Sequence, residues 1–126
     1  MSNYDLVAIW EEHLRVEFAS RDVSRTLGYV NDNLDGNVSI EAMAAVAGLS
    51  PFHFSRTFTR ATGHPPHRYV MRARVERAVA LLRGSTLSLA EIAFRTGFAD
   101  QSHMGRHIRQ LHGISPKALR RAETYR

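Results

Sequence analysis

One pattern of residues occurs twice in this chain of 126 residues. Each copy has an alanine four residues before a glycine, then an arginine between two apolar residues, and a glycine three positions before a proline. The first copy comprises Ala44, Gly48, Phe54, Arg56, Phe58, Gly63 and Pro66, and the second comprises Ala93, Gly97, Met104, Arg106, Ile108, Gly113 and Pro116. The offset is 49 before the turn (93 − 44) and 50 after it (106 − 56), so the second turn has one additional residue. A helix, a glycine turn and a second helix at this spacing predict a helix-turn-helix, present twice.

The composition limits the chain to one domain, or to two very small subdomains that share a helix. Hydrophobic residues make up 44% and charged residues 23% of the chain, which is enough to bury a core. No apolar run approaches the roughly 18 residues that span a bilayer, and the N-terminus lacks the pattern of a signal peptide. The absence of cysteine excludes disulfides, thiolate zinc sites and cysteine nucleophiles, and it is consistent with a cytoplasmic protein.

Charge is distributed unevenly along the chain. Residues 1–35 contain three arginines and seven acidic residues, a net charge of −4, whereas residues 36–126 contain 14 basic and five acidic residues, a net charge of +9. Sixteen of the 17 basic residues are arginine, whose rigid guanidinium can make two hydrogen bonds to a phosphate or a guanine. The charge therefore favours a nucleic-acid partner, although a solvated basic surface would have the same composition.

Every segment shows the period of a helix, and none alternates with period two. Residues 4–19 predict an amphipathic helix, and further helices are predicted over about residues 23–34, 39–46, 51–62, 65–83, 88–96 and 100–113, and from residue 115 onward. The predicted N-caps are Ser39, Ser50, Ser88 and Asp100, and Ser88 forms a capping-box pattern with Glu91. Gly63 and Gly113 are predicted to end the second helix of each motif.

These elements predict an all-α fold with two helix-turn-helix subdomains joined by a long linker helix. The subdomains are expected over residues 23–64 and 85–126, and the linker helix over residues 65–84. Residues 1–22 are expected to form an N-terminal amphipathic helical extension.

Helical spacing divides the second helix of each motif into an inward and an outward face. The inward residues are Phe54, Phe58 and Ala61 in the first copy, and Met104, Ile108 and Leu111 in the second. The outward residues are Phe52, Ser55, Arg56 and Thr59 in the first copy, and Ser102, Gly105, Arg106 and Arg109 in the second. The major groove of DNA is about 12 Å wide and admits one helix, and arginine reads guanine O6 and N7 there. The outward faces are therefore candidate base-reading surfaces.

Two groups of residues are candidates for contacts with DNA. The candidate base readers are Phe52, Ser55, Arg56, Gln101, Ser102, His103 and Arg106, and those for positioning on phosphates are Ser50, Thr59, Arg68, Arg72, Arg109 and Lys117. Phe52 would pack against a thymine methyl if it is exposed, and the alternative is a partly buried core aromatic. Gly105 costs a helix roughly 1 kcal/mol relative to alanine, so it indicates either close approach to the DNA backbone or a tolerant position.

The same residues resemble the DNA-binding domain of the AraC/XylS family of bacterial transcription regulators, over about residues 23–122. The resemblance is carried by residues 47–58, 97–108 and 113–116, which contain both glycine turns, both arginines and Ser115-Pro116. Met104 and Ile108 stand where the family usually has phenylalanine, and Thr59 stands where lysine is common. The resemblance implies two recognition helices in adjacent major grooves about 34 Å apart, so that a monomer binds an asymmetric site of about two turns.

The resemblance also implies a function and partners. It implies a cytoplasmic regulator that binds specific double-stranded DNA and acts as an activator through contacts with RNA polymerase, with repression as the alternative. The chain resembles a stand-alone regulator, and it fits equally well the DNA-binding part of a longer, ligand-responsive protein.

Other functions are less well supported by the residues. His103 and His107 have i, i+4 spacing but lack the glutamate of the metalloprotease motif, so we expect no metal and no other cofactor. No nucleophile motif, phosphate-binding loop or paired carboxylates in an apolar context indicates an enzyme. A protein-interaction module is the alternative of a different class, with Trp10 and Phe18 of the first predicted helix as its surface, although that face also fits packing on the core. RNA and a membrane are not expected partners.

Overall fold

The computed structural model describes the backbone of residues 21–124 and the side chains of residues 25–60 and 62–122. These residues form seven helices and no strand, which confirms the predicted all-α fold. In chain order the helices are α1 (Arg21–Asp32), α2 (Ile40–Ala47), α3 (Pro51–Thr62), α4 (Pro66–Gly84), α5 (Leu89–Arg95), α6 (Gln101–His112) and α7 (Pro116–Thr124). The helix predicted over residues 4–19 lies outside the described residues. None of the seven helices combines the length and the apolar character that crossing a membrane requires.

Four helices begin at the N-caps predicted from the sequence. Side-chain oxygens of Ser39, Ser50, Ser88 and Asp100 accept hydrogen bonds from the backbone N–H three residues later, at 3.2, 3.1, 3.1 and 2.8 Å. Each cap satisfies an N–H group that has no partner within its own helix. The carboxylate of Glu91, predicted to complete a capping box with Ser88, accepts a hydrogen bond from Arg95 Nε at 2.9 Å.

Gly63 and Gly113 end α3 and α6, as predicted. Their φ angles are 80° and 78°, in the left-handed region where a side chain with a Cβ is strained. Their N–H groups donate to the carbonyls of Thr59 and Arg109 at 2.7 and 2.8 Å, which closes the last turn of each helix. The boundaries of α1 differ from the prediction, because it begins and ends two residues earlier than residues 23–34.

The chain divides into two compact units, Met1–Val70 and Met71–Arg126, with the division inside α4. The four-part division into residues 1–22, 23–64, 65–84 and 85–126 stays a prediction. In the first unit, α1, α2, α3 and the beginning of α4 share a core of Val30, Leu34, Met43, Ala44, Phe54, Phe58 and Tyr69. The ring of Phe58 lies 6.0 Å from that of Phe54 and 6.1 Å from that of Tyr69, so the inward face of α3 is held by aromatic packing.

The second unit has its own core, built from four helices. Its members are Met71, Val75, Ala78, Val79, Leu82, Ile92, Ala93, Phe98, Met104, Ile108 and Leu119. Met104 and Ile108 have no exposed surface, so these two smaller side chains fill the inward face of α6. Arg120 of α7 donates from Nε to the carbonyl of Leu82 at 3.1 Å and from Nη2 to that of Ser85 at 3.3 Å. The first bond satisfies a carbonyl in the last turn of α4, where carbonyls have no partner within the helix, and the second satisfies the carbonyl of the residue that follows α4.

Candidate nucleic-acid interface

The outward face of α3 carries the side chains predicted for it. Phe54 and Phe58 are buried, whereas Arg56 and Thr59 are exposed and Ser55 is half-buried. Phe52 is 71% exposed, so the alternative of a core aromatic is wrong. The hydroxyl of Ser50 is engaged as the N-cap of this helix, which sets where its first turn begins.

Phe52 and Arg56 form a stacked pair on this face. The guanidinium carbon of Arg56 lies 5.5 Å from the centre of the Phe52 ring, within the range of a cation–π interaction. The two side chains line a shallow groove with Ser55, Thr59 and Arg60. Arg60 is not among the candidates predicted from the sequence, although its position four residues after Arg56 was a signal that it would share this surface.

The outward face of α6 is basic and polar. Gln101, Ser102, Arg106 and Arg109 are exposed, whereas Met104 and Ile108 are fully buried. A groove beside this face is lined by Gln101, Ser102, Gly105, Arg106, Arg109, Ser115, Pro116 and Lys117, together with Leu89. The structure therefore brings candidate base readers and two candidate phosphate contacts of this unit into one groove.

Gly105 departs from the predicted pattern, because it is buried rather than outward-facing. A Cβ at this position would lie 3.4 Å from Arg109 Nη1 and 4.0 Å from the ring of Pro116. The guanidinium of Arg109 thus lies over Gly105, beside the first residue of α7. A Cβ here would therefore make van der Waals contact with a side chain and a neighbouring helix of the protein itself.

His103 is half-buried and partly engaged within the protein. Its Nδ1 accepts a hydrogen bond from the N–H of Ala99 at 3.2 Å, so the neutral ring carries its hydrogen on Nε2. The ring centre lies 5.4 Å from that of Phe98 and 4.9 Å from that of His107. Nδ1 of this candidate base reader is therefore engaged within the protein. His53, on the first turn of α3, is exposed.

The candidate phosphate contacts differ in exposure. Arg68 and Lys117 are exposed, and Arg68 Nη1 lies 3.0 Å from Nδ1 of His64. Arg72 is half-buried on α4, as is its neighbour Arg74. Burial lowers the pKa of the Arg74 guanidinium below its usual value. Arg68 and Lys117 are therefore more accessible to a phosphate than these two half-buried arginines.

One buried polar pair lies outside the residues singled out from the sequence. Nε2 of His112, at the end of α6, lies 3.2 Å from Oε1 of Glu76 on α4. The side chains of His112 and Glu76 are 15% and 6% exposed. Glu76 adjoins the apolar stripe of α4 through Val75 and Val79, and that position was the signal that it would be buried. Among the side chains that the structure describes, no cluster of three or more His, Asp or Glu could hold a metal ion.

The chain is similar to known DNA-binding regulators. Residues 43–122 match the model of a helix-turn-helix domain family. The chain is 26% identical over 121 residues to the HTH-type transcriptional activator AarP of Providencia stuartii, across 96% of this chain and 90% of AarP. It is 32% identical over 117 residues to the HTH-type transcriptional activator RhaS of Klebsiella pneumoniae strain 342, across 91% of this chain. It spans 42% of the length of RhaS and 33% of the MmsAB operon regulatory protein of Pseudomonas aeruginosa.

The fold is also similar to that of a solved DNA-binding domain. The DNA-binding domain of AdpA, a global transcriptional factor solved in complex with a target DNA, matches with a TM-score of 0.78 and 31% identity. The match covers 84% of this chain and 96% of that domain. The family consists of DNA-binding transcription regulators rather than enzymes. With its two helix-turn-helix motifs, this chain belongs to the AraC-type family of DNA-binding transcription regulators.

Proposed function

We propose that this protein binds a specific double-stranded DNA site as a monomer, with α3 and α6 in successive turns of the major groove, and that it activates transcription. The observation that carries the proposal is the correspondence between the two units. Each presents a capped helix whose inward face is buried and whose outward face carries an exposed arginine, Arg56 or Arg106, at an offset of 50. Because the two helices are presented in the same way, each can enter a groove by the same face.

The side chains have separate tasks in this proposal. Arg56 and Arg106 read guanine with two hydrogen bonds each, and the neighbouring base readers are Phe52, Ser55, Gln101, Ser102 and His103 through Nε2. Arg109 and Lys117 bind phosphates from the groove beside α6, and Ser50, Thr59, Arg68 and Arg72 are assigned the same task elsewhere. The phosphate contacts fix the position of the protein without reading sequence, whereas the base contacts determine the site.

The names of two relatives support activation as the direction of regulation. AarP and RhaS are named as activators, and the AdpA domain was solved with a target DNA. We infer the same direction here, through contact with RNA polymerase in the cytoplasm. Repression, or action as the DNA-binding part of a longer ligand-responsive regulator, is the alternative. In vitro transcription from a promoter that carries the selected site distinguishes activation from repression by the sign of the change in transcript.

Selection of bound duplexes from random DNA tests the central proposal. We expect an asymmetric consensus of about two helical turns, in two blocks about one turn apart. Native mass spectrometry of the complex should show one protein per duplex. A palindromic consensus with two proteins per duplex would contradict binding as a monomer, and the absence of shared bases would contradict sequence-specific binding.

A protein-interaction module is the second candidate function. Phe94 on α5 favours it, because this large apolar side chain is 76% exposed and lies on neither recognition helix. If the chain were such a module without DNA binding, Phe94→Ser would abolish its function and Arg106→Ala would not. We expect instead that Arg106→Ala lowers the affinity for DNA and that Phe94→Ser does not, as measured by fluorescence anisotropy with a labelled duplex.

A further inference from the structure

We propose that Phe52 and Arg56 act together as a reader of a 5-methylpyrimidine followed by guanine. Thymine and 5-methylcytosine would then be equivalent at the base directly before the guanine that Arg56 contacts. The inference rests on the proposed function, since it requires α3 to lie in the major groove. It goes beyond that function by assigning a base step, and a sensitivity to cytosine methylation, to one pair of side chains.

The geometry of the pair carries the inference. The ring of Phe52 is 71% exposed, so burial within the protein gives this phenylalanine little stabilisation. The Arg56 guanidinium carbon lies 5.5 Å from the centre of that ring. Both side chains occupy the outward face of α3, whose orientation is fixed by the burial of Phe54 and Phe58. An apolar surface and a donor group are therefore presented side by side, on a helix that cannot rotate freely.

The major groove offers one base group that suits the Arg56 guanidinium and another that suits the Phe52 ring. The guanidinium fork matches guanine O6 and N7, and an apolar side chain matches the C5 methyl group of thymine. The Phe52 ring carries no hydrogen-bonding group, so it does not distinguish thymine O4 from the amino group of cytosine. It responds only to the methyl group, and 5-methylcytosine carries that group on the same ring carbon as thymine. A methylated cytosine would therefore satisfy the ring, whereas cytosine and uracil would not.

The second unit provides a comparison within the same molecule. Ser102 corresponds to Phe52 (52 + 50) and Arg106 corresponds to Arg56 (56 + 50). Arg106 and Ser102 are both exposed, so α6 presents the arginine with a hydroxyl in place of the ring. We expect the guanine read by Arg106 to show no dependence on a neighbouring methyl group.

Single-base replacements in the selected duplex test the inference with the full chain. Each guanine is replaced in turn by 7-deazaguanine, which lacks the N7 acceptor, and the guanine whose replacement no longer matters in Arg56→Ala is the one that Arg56 contacts. The base directly 5′ to it is then made thymine, uracil, cytosine or 5-methylcytosine. We expect thymine and 5-methylcytosine to bind alike, and uracil and cytosine to bind about fourfold more weakly, the effect of one methyl group removed from water.

Two variants serve as matched controls. In Phe52→Ala the four bases should bind alike, and the melting temperature should fall only slightly, because the ring is largely exposed and loses little beyond its contact with Arg56. In Phe94→Ala, which removes an exposed phenylalanine outside the recognition helices, the fourfold difference should persist. Uracil bound as tightly as thymine, or a methyl effect that persists in Phe52→Ala, would overturn this inference and leave sequence-specific binding intact. A chain that binds no duplex in preference to others would overturn both.

Discussion

His112 Nε2 lies 3.2 Å from Glu76 Oε1, which joins the end of α6 to the middle of α4 within the second unit. The pair is almost buried, and the residues are 36 positions apart in the chain. A hydrogen bond between ionisable groups in this setting fixes one end of α6 by a directional contact, in addition to the apolar packing of Met104 and Ile108.

Removal of this contact should destabilise the protein. We expect His112→Ala to lower the free energy of unfolding by about 1–2 kcal/mol, because Oε1 of the buried Glu76 side chain loses its hydrogen bond to the imidazole. Glu76→Gln should cost less, since an amide oxygen can still accept from the imidazole. Urea denaturation followed by circular dichroism measures both, and equal stability of His112→Ala and the wild type would show that the contact contributes nothing.

Gly105→Ala should stabilise the protein without weakening binding to DNA. Alanine is favoured over glycine within a helix by roughly 1 kcal/mol, and the nearest atom to the new Cβ is the flexible end of Arg109, at 3.4 Å. We therefore expect a rise in melting temperature and an unchanged Kd for the selected duplex. A loss of affinity would instead support the close approach of the DNA backbone to this residue, one of the two interpretations drawn from the sequence.

Arg56→Ala and Arg106→Ala should each weaken binding to the selected site by about 1–3 kcal/mol and relax the preference at one guanine. The matched control is Arg95→Ala, which removes the same charge from an exposed ion pair with Glu91 on α5. Competition binding with single-base variants of the site measures the preference. Arg95→Ala should leave the preferred bases unchanged, and the assignment of the recognition helices fails if affinity and preference are unchanged in both Arg56→Ala and Arg106→Ala.

Lys117→Ala should weaken binding to all sequences alike. A lysine that contacts one phosphate contributes about one unit to the slope of log K against log salt, so the variant should show a slope shallower by about that amount. Titrations at several salt concentrations, on the selected duplex and on an unrelated one, measure both slopes. A change in the preferred base would contradict a role confined to phosphate.

Local features of the fold could be predicted from the sequence, because their causes lie within a few residues. Ser50 and Asp100 cap their helices through the N–H three residues ahead, and Gly113 ends α6 through its own backbone conformation. The inward positions of Phe54 and Met104 follow from helical period alone. In each case the physical cause is visible in a short stretch of sequence.

Features that depend on tertiary contacts could not be predicted from a short stretch of sequence. Gly105 falls on the outward stripe by helical period, yet it is buried because Arg109 lies over it and Pro116 packs beside it. The partial engagement of His103 depends on how the preceding loop presents the N–H of Ala99. Helical period does not predict that Glu76 lies beside His112, because it describes the faces of one helix and not which residues of two helices meet.

The hydrogen bonds from Arg120 to the end of α4 determine how the second unit can be isolated as a fragment. A fragment that stops at Gly113 would contain all of α6, but it would lack the guanidinium that closes α4 and the Leu119 side chain that completes the core. The smallest fragment of the second unit expected to fold independently therefore extends through α7, and an affinity tag is better attached beyond that helix than in its place.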